Sequence, residues 1–220
     1  LNRRFIQWGI IALAIAIAVA TGWQGDDQPE SSEAPFDFYV LALSWSPAFC
    51  ASEAGQRSPL QCRSGADHGF VTHGLWPQFE EGWPSFCQSP HGDSMPSHVA
   101  DSLLDIMPDR GLIEHQWDKH GTCSGLSQEA YADLTRGASQ SIAIPALFDG
   151  TTPSRIDADD IEQAFQQTNP AIPRDAIAIS CPGGRFAEVR ICLDQSLSPR
   201  ACGEVDRNGC RQNNLHLTAR

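Results

Sequence analysis

The chain has 220 residues, of which 41% are apolar and 19% charged, a composition that excludes extensive disorder or low complexity and suits one globular domain with short appendages. Its 15 basic residues stand against 27 acidic ones, a net charge of −12. That field argues against tight, sequence-tolerant capture of polyanions by a broad basic face. It does not exclude a nucleic acid gripped locally, since exposed charges beyond about 8 Å are screened at physiological salt.

In chain order, Arg3 and Arg4 precede an apolar run over residues 10–20 that closes on the small-residue triplet Ala18-Val19-Ala20. The run falls short of the roughly 18 apolar residues that a membrane span needs, so residues 1–20 are expected to be a cleaved secretory signal, with an uncleaved anchor as the alternative. Its removal leaves 13 basic against 27 acidic residues, a net charge of −14. Residues 21–35 (TGWQGDDQPESSEAP) have the composition of a flexible acidic linker, and residues 36–220 form the expected domain. A signal places the protein in the periplasm or outside the cell. Eight cysteines follow it: Cys50, Cys62, Cys87, Cys123, Cys181, Cys192, Cys202 and Cys210. An even number in an oxidising compartment, with no Cys-x-x-Cys pair, predicts four disulfides rather than a zinc site.

Residues 36–45 (FDFYVLALSW) form a nearly continuous run of apolar β-formers, which predicts a buried central strand ended by Pro47. Residues 50–68 predict a polar loop that Cys50 and Cys62 could close locally. Residues 69–76 predict the next strand, stopped by Pro77, with His73 in it or at its end beside Gly74. Glycines and prolines at 82, 84, 90 and 92 predict a loop over residues 80–96. Ser97 can cap a helix whose apolar positions are Val99, Leu103, Leu104, Ile106 and Met107, ending before Pro108. A second helix is expected after Gly111, a third from Ser127 to about Ile142, and a fourth capped by Asp157 and terminated by Asn169-Pro170. The period then switches, and residues 176–180 and 186–193 predict two strands of a hairpin joined through Pro182-Gly183-Gly184. Strands at both ends and helices between them predict an α+β fold: a single disulfide-stapled domain with a central, mainly antiparallel sheet and helices packed against it.

The second helix carries residues 114–125 (EHQWDKHGTCSG), which include two of the seven histidines and Lys119, the only lysine of the chain. At about 100° per residue with His115 at zero, Lys119 falls near 40°, Gln116 near 100°, His120 near 140° and Trp117 near 200°. Two imidazoles, an amide and an ammonium thus share one face with the indole behind. Such a face makes a poor core, because burying those groups unpaired is costly; an ordinary solvated face is the other reading. Histidines can supply a neutral base and a cationic acid together, and an ammonium can stabilise charge developing on phosphorus. The sequence has no Gly-rich phosphate loop and no His-Glu-x-x-His helix. These residues alone point to an extracytoplasmic acid–base enzyme acting on phosphate esters.

Residues 70–78 (FVTHGLWPQ) and 114–125 together resemble the two active-site segments of the T2-type, or transferase-type, ribonuclease family, in particular a bacterial secreted or periplasmic member. The likeness extends from FDFYVLALSWSPAFC near the start to ISCPGGRFAEVRICLD near the end. The resemblance implies endonucleolytic cleavage of single-stranded RNA, with neither metal nor cofactor. The ribose 2′-hydroxyl attacks phosphorus, leaving a 2′,3′-cyclic phosphate and a free 5′-hydroxyl, and DNA lacks that nucleophile. It further implies His120 as general base, His73 as general acid, His115 as a phosphate-binding histidine and Lys119 as the stabiliser of the pentacoordinate transition state. Trp76 matches an aromatic that stacks on a base, with plain packing as the other reading, and Gln78 is a candidate to touch a base beside it. Gln116 departs from the glutamate common at that position, which puts its catalytic role in doubt. The resemblance also pairs Cys87 with Cys123, Cys181 with Cys210 and Cys192 with Cys202, leaving Cys50 with Cys62. RNA is the expected partner, with no DNA, no membrane after signal removal, and a monomeric state. Two other readings differ in kind: a non-catalytic RNA-binding relative, and a zinc phosphoesterase using His73, His115 and His120 as ligands.

Overall fold

The computed structural model describes residues 35–63, 68–150 and 152–220. The expected signal and all but the last residue of the expected linker lie outside the described residues. Among the described residues the strands are β1 (Phe38–Trp45), β2 (Phe70–Gln78), β3 (Arg155–Ile156), β4 (Ile177–Ser180), β5 (Glu188–Leu193) and β6 (Leu215–His216). Four of them form an antiparallel sheet in the order β2-β1-β5-β4, and β3 pairs with β6 in a small second sheet. The α+β expectation holds.

The sheet has a dry face and a working face. Tyr39, Leu41, Leu43 and Trp45 of β1 alternate onto the dry side with Val189, Ile191 and Leu193 of β5, all buried in the main core. Helices α6 (Gln128–Ser141) and α7 (Ala158–Thr168) cover that side through Ala138, Ile161 and Phe165. The helices before them are α1 (Ser46–Cys50), α2 (Glu53–Gln56), α3 (Pro59–Cys62), α4 (Ser97–Leu103) and α5 (Arg110–Lys119). α8 (Gly203–Arg207) lies near the C-terminus. The opposite face carries Val40, Ala42 and Ser44 of β1, registered against Cys192, Arg190 and Glu188 of β5. Strand alternation alone puts those polar residues on one surface.

Several expectations are corrected. Residues 50–62, predicted as loop, are largely the three short helices, because Pro47 and Pro59 sit at first-turn positions and the Ser52 side chain caps α2. β2 does not stop at Pro77 but runs to Gln78, with Pro77 opposite Tyr39. An outer strand tolerates the missing N–H. That outer edge is otherwise occupied: Thr72 N donates to Ile106 O at 2.9 Å, and the Tyr131 hydroxyl donates to Leu75 O at 2.6 Å. Helix α5 starts before Gly111, because the Asp109 carboxylate accepts from Gly111 N and Leu112 N. It ends at Lys119, so His120 is its cap residue rather than part of its last turn. Ser97 opens α4 as a helical residue with Pro96 before it. Asp157 precedes α7 but spends its carboxylate on Asn214 N.

All four disulfides pair as implied: Cys50–Cys62, Cys87–Cys123, Cys181–Cys210 and Cys192–Cys202. Four such bonds fit an extracytoplasmic location. Among the described residues no helix is long and apolar enough to cross a membrane.

Candidate active site

The site forms where the working face of the sheet meets the end of α5. Between Ala42 and Leu43 the β1–β2 register slips: Gly74 faces Ala42 and Thr72 faces Leu43, which leaves His73 as the extra residue of a bulge. A bulge turns its side chain out of the normal alternation. His73 is left half-exposed, and its Nδ1 lies 2.6 Å from Glu188 Oε2 on β5. Ser44 Oγ donates to the same oxygen at 3.2 Å, and Arg190 Nε donates to Glu188 Oε1 at 2.8 Å. Burial works to raise the Glu188 carboxyl, but the His73 hydrogen bond and the charges of His73 and Arg190 outweigh it and hold the carboxyl below its usual range.

Helix α5 is fixed from behind. Trp117 is fully buried in a second core with Met107, Ile113 and Tyr131, on the far side from the polar residues as the helical angles predict. Burying that ring contributes about 2 to 3 kcal/mol. A Cβ at Gly121 would overlap the Trp117 ring, so the chain can turn away over the indole only without a side chain there. The Cys87–Cys123 disulfide and the 2.9 Å bond from Phe86 N to Lys119 O tie the loop after β2 to the same helix end.

Gln116 points inward, only 4% exposed, and its Oε1 accepts from Trp76 Nε1 at 2.7 Å. A Cβ at Gly74 would overlap both of those atoms, so glycine in the bulge is what lets strand and helix join there. The Trp76 ring then contacts both histidines. It stacks on His120 with centroids 5.3 Å apart and planes 26° apart, and it meets His73 edge-on at 5.2 Å. Arg190 lies over the same ring at 5.5 Å. His120 is 5% exposed, and its Nδ1 is buried without a hydrogen-bond partner among the described residues. Burial first, and then the charges of Lys119, His73 and His115, push its pKa down to about 3, so the ring is neutral at ordinary pH.

All seven expected residues, His73, Trp76, Gln78, His115, Gln116, Lys119 and His120, line one pocket of about 300 Å³. His115 is exposed on α5, with Phe86 6.4 Å from its ring, and Lys119 is partly buried. Gln78 is buried and donates through Nε2 to Pro77 O at 3.0 Å. The exposed rings of Phe79 and Trp83 flank the opening. Sequence reasoning missed Glu188 and Arg190. The available signal was two charges at alternate positions of an otherwise apolar strand. No group of three or more His, Cys, Asp or Glu side chains converges as a metal site among the described residues.

The family model for ribonuclease T2 matches residues 36–202. The chain belongs to the ribonuclease T2 family. Among curated relatives, a ribonuclease of Aeromonas hydrophila is 38% identical over 124 residues, covering 56% of this chain and 54% of the relative. A probable ribonuclease of Haemophilus influenzae is 28% identical over 193 residues, covering 81% of this chain and 65% of the relative. The chain therefore spans between about half and two thirds of the length of these relatives. Among solved structures, the RNase-related protein from Calystegia sepium superposes with a TM-score of 0.65 at 23% identity, covering 82% of this chain and 97% of that one. At that identity the match shows the shared fold.

Proposed function

We propose that this T2-family chain is an endoribonuclease that cleaves single-stranded RNA by transphosphorylation, without metal or cofactor. The observation that carries the reading is the packing of a buried, neutral His120 and a carboxylate-held His73 against one indole, with Lys119 and His115 in the same pocket. His120 accepts the proton of the ribose 2′-hydroxyl as the 2′-oxygen bonds to phosphorus. Lys119 and His115 stabilise the charge gathering on the phosphorane oxygens. The bond to the 5′-oxygen breaks as His73 donates a proton to that oxygen. The products are a 2′,3′-cyclic phosphate and a 5′-hydroxyl, and atoms and protons balance across the step.

Gln116 serves this chemistry indirectly. Its carbonyl is committed to Trp76, which supports a role in fixing the indole rather than in proton transfer. Trp76 and Gln78 form the wall against which a base would rest, beside the exposed ring of Trp83. We place the enzyme in the periplasm or outside the cell, as a monomer whose substrate is RNA and not DNA.

The test is to incubate the mature protein with RNA and with DNA, each with and without EDTA, and to analyse the ends. Cleavage of RNA alone, indifferent to EDTA and yielding cyclic phosphates, is expected. Binding of RNA without cleavage would replace this reading with that of a non-catalytic relative, and loss of activity in EDTA would replace it with a metal mechanism.

A further inference from the structure

His73 lines three spaces. Besides the pocket it shares with His120, it lines a groove of about 530 Å³ between α1, with Ser52 just beyond it, and the β4–β5 hairpin. The charged residues of that groove are His73, Glu188, Arg190 and Arg185. Glu188 is its one carboxylate, and the bonds from His73 and Arg190 already offset that charge. Arg185 is exposed, and its guanidinium makes no hydrogen bond or ion pair among the described residues. The Ser180 hydroxyl in the same groove is likewise without a partner among the described residues. In a chain with 27 acidic and 15 basic residues, a groove whose uncompensated charge is a guanidinium runs against the overall field. A guanidinium on its own in such a place suits one class of ligand best, a phosphate oxygen pair.

We propose that this groove is a phosphate subsite for RNA on the 3′ side of the scissile bond, with Arg185 pairing the next phosphodiester downstream. The inference rests on the catalytic reading above. In that reading the 5′-oxygen protonated by His73 belongs to the downstream nucleotide, so the chain beyond it must continue from His73. The pocket on the α5 side is taken by the groups that handle the nucleophile and the reacting phosphate. Of the other two spaces that His73 lines, the smaller, of about 170 Å³, has the Asp109 carboxylate as its charge besides His73, whereas the groove offers the Ser180 hydroxyl and the Arg185 guanidinium, which suit a phosphodiester backbone. The substrate class sharpens accordingly: oligonucleotides extended by two or more residues past the cleavage point, rather than dinucleotides.

The experiment compares wild type, Arg185→Ala and Arg174→Ala on a dinucleoside monophosphate and on a tetranucleotide with two extra 3′ residues. Arg174 lines a separate pocket with Glu162 of α7 and controls for loss of one positive charge. Arg185→Ala is expected to lower kcat/KM on the tetranucleotide by about tenfold, the weight of one charge-assisted contact, and to leave the dinucleotide unchanged. The slope of log kcat/KM against log salt should become shallower by about 0.7 for the tetranucleotide. Arg174→Ala should change neither substrate. Equal losses on both substrates, or no loss on the tetranucleotide, overturn the subsite. Affinity for a non-cleavable 2′-deoxy tetranucleotide, read by fluorescence anisotropy, keeps the two readings separable. If the wild type cleaves nothing, the ribonuclease reading fails, and binding weakened about tenfold by Arg185→Ala still supports the groove while unchanged binding overturns it.

Discussion

Because the Glu188 carboxylate is ionised and can only accept, the proton in its 2.6 Å contact sits on His73 Nδ1, and Nε2 is the nitrogen left to meet a substrate. A glutamine at 188 would offer an N–H to the same nitrogen and favour the opposite tautomer. Glu188→Gln is therefore expected to lower kcat on the order of 10²-fold with little change in KM, while Glu188→Asp keeps the charge and a larger share of the rate; steady-state kinetics on a dinucleotide check this. A Glu188→Gln variant as fast as wild type would remove Glu188 from the mechanism. Replacing His73 or His120 with alanine should cost about 10²-fold or more in kcat, and a His120→Ala enzyme near wild-type rate would remove His120 as the base. The seven expected residues in the pocket were legible because they cluster in two short segments with unusual chemistry. Glu188 was not, since it lies 115 positions from His73 and is joined to it only by a strand order that no local pattern encodes.

At the scale of elements, the working end of α5 depends on what lies behind and beside it: Trp117 beneath, Gly121 where the chain leaves, and the Cys87–Cys123 bond across to the loop. The chain-entropy account gives this disulfide about 3 to 4 kcal/mol and the shorter Cys50–Cys62 closure about 3 kcal/mol, so their effects on stability should be similar. Their effects on rate should differ. Cys87→Ser is expected to lower kcat well beyond Cys50→Ser, because only the first bond holds the His120 end of the site; equal losses of activity would show that the strap does not govern the geometry. The helices from 97 to 168 and the hairpin of β4 and β5 were readable from apolar spacing and prolines, not from the expected caps at Ser97 and Asp157. The short helices α1 to α3 were hidden by a polar composition that suits either loop or helix. The β3–β6 pair was hidden because two-residue strands joining positions 155–156 to 215–216 carry no periodicity to detect.

For the whole molecule, two buried groups set opposing responses to pH. His120, at about 3 in the fold against an ordinary value of 6.5, takes up a proton more readily when unfolded. Stability is therefore lost as pH falls between those values, by up to about 1.4 kcal/mol per unit. Burial pushes Glu162 up to about 7 from 4.5 despite Arg211, so the fold keeps a proton that the unfolded chain releases, and stability is lost as pH rises through that window. Urea midpoints should pass through a broad maximum where the two windows overlap. His120→Asn should make the acid-side decline shallower and Glu162→Gln the decline toward neutral; variants that leave both slopes unchanged would show that neither group governs them. The arrangement of the sheet bears on a different hazard. The strand that carries His73 is an outer strand, and an exposed row of amides and carbonyls invites a second copy to add itself as the next strand. Here the row is broken at each step: a proline with no donor at 77, a donor at Thr72 already given to Ile106, and a carbonyl at Leu75 already taken by Tyr131. At the opposite margin Cys210 N occupies Ile179 O on β4, held there by the Cys181 disulfide. The sheet can thus present the His73 strand to solvent without offering it as a template for aggregation.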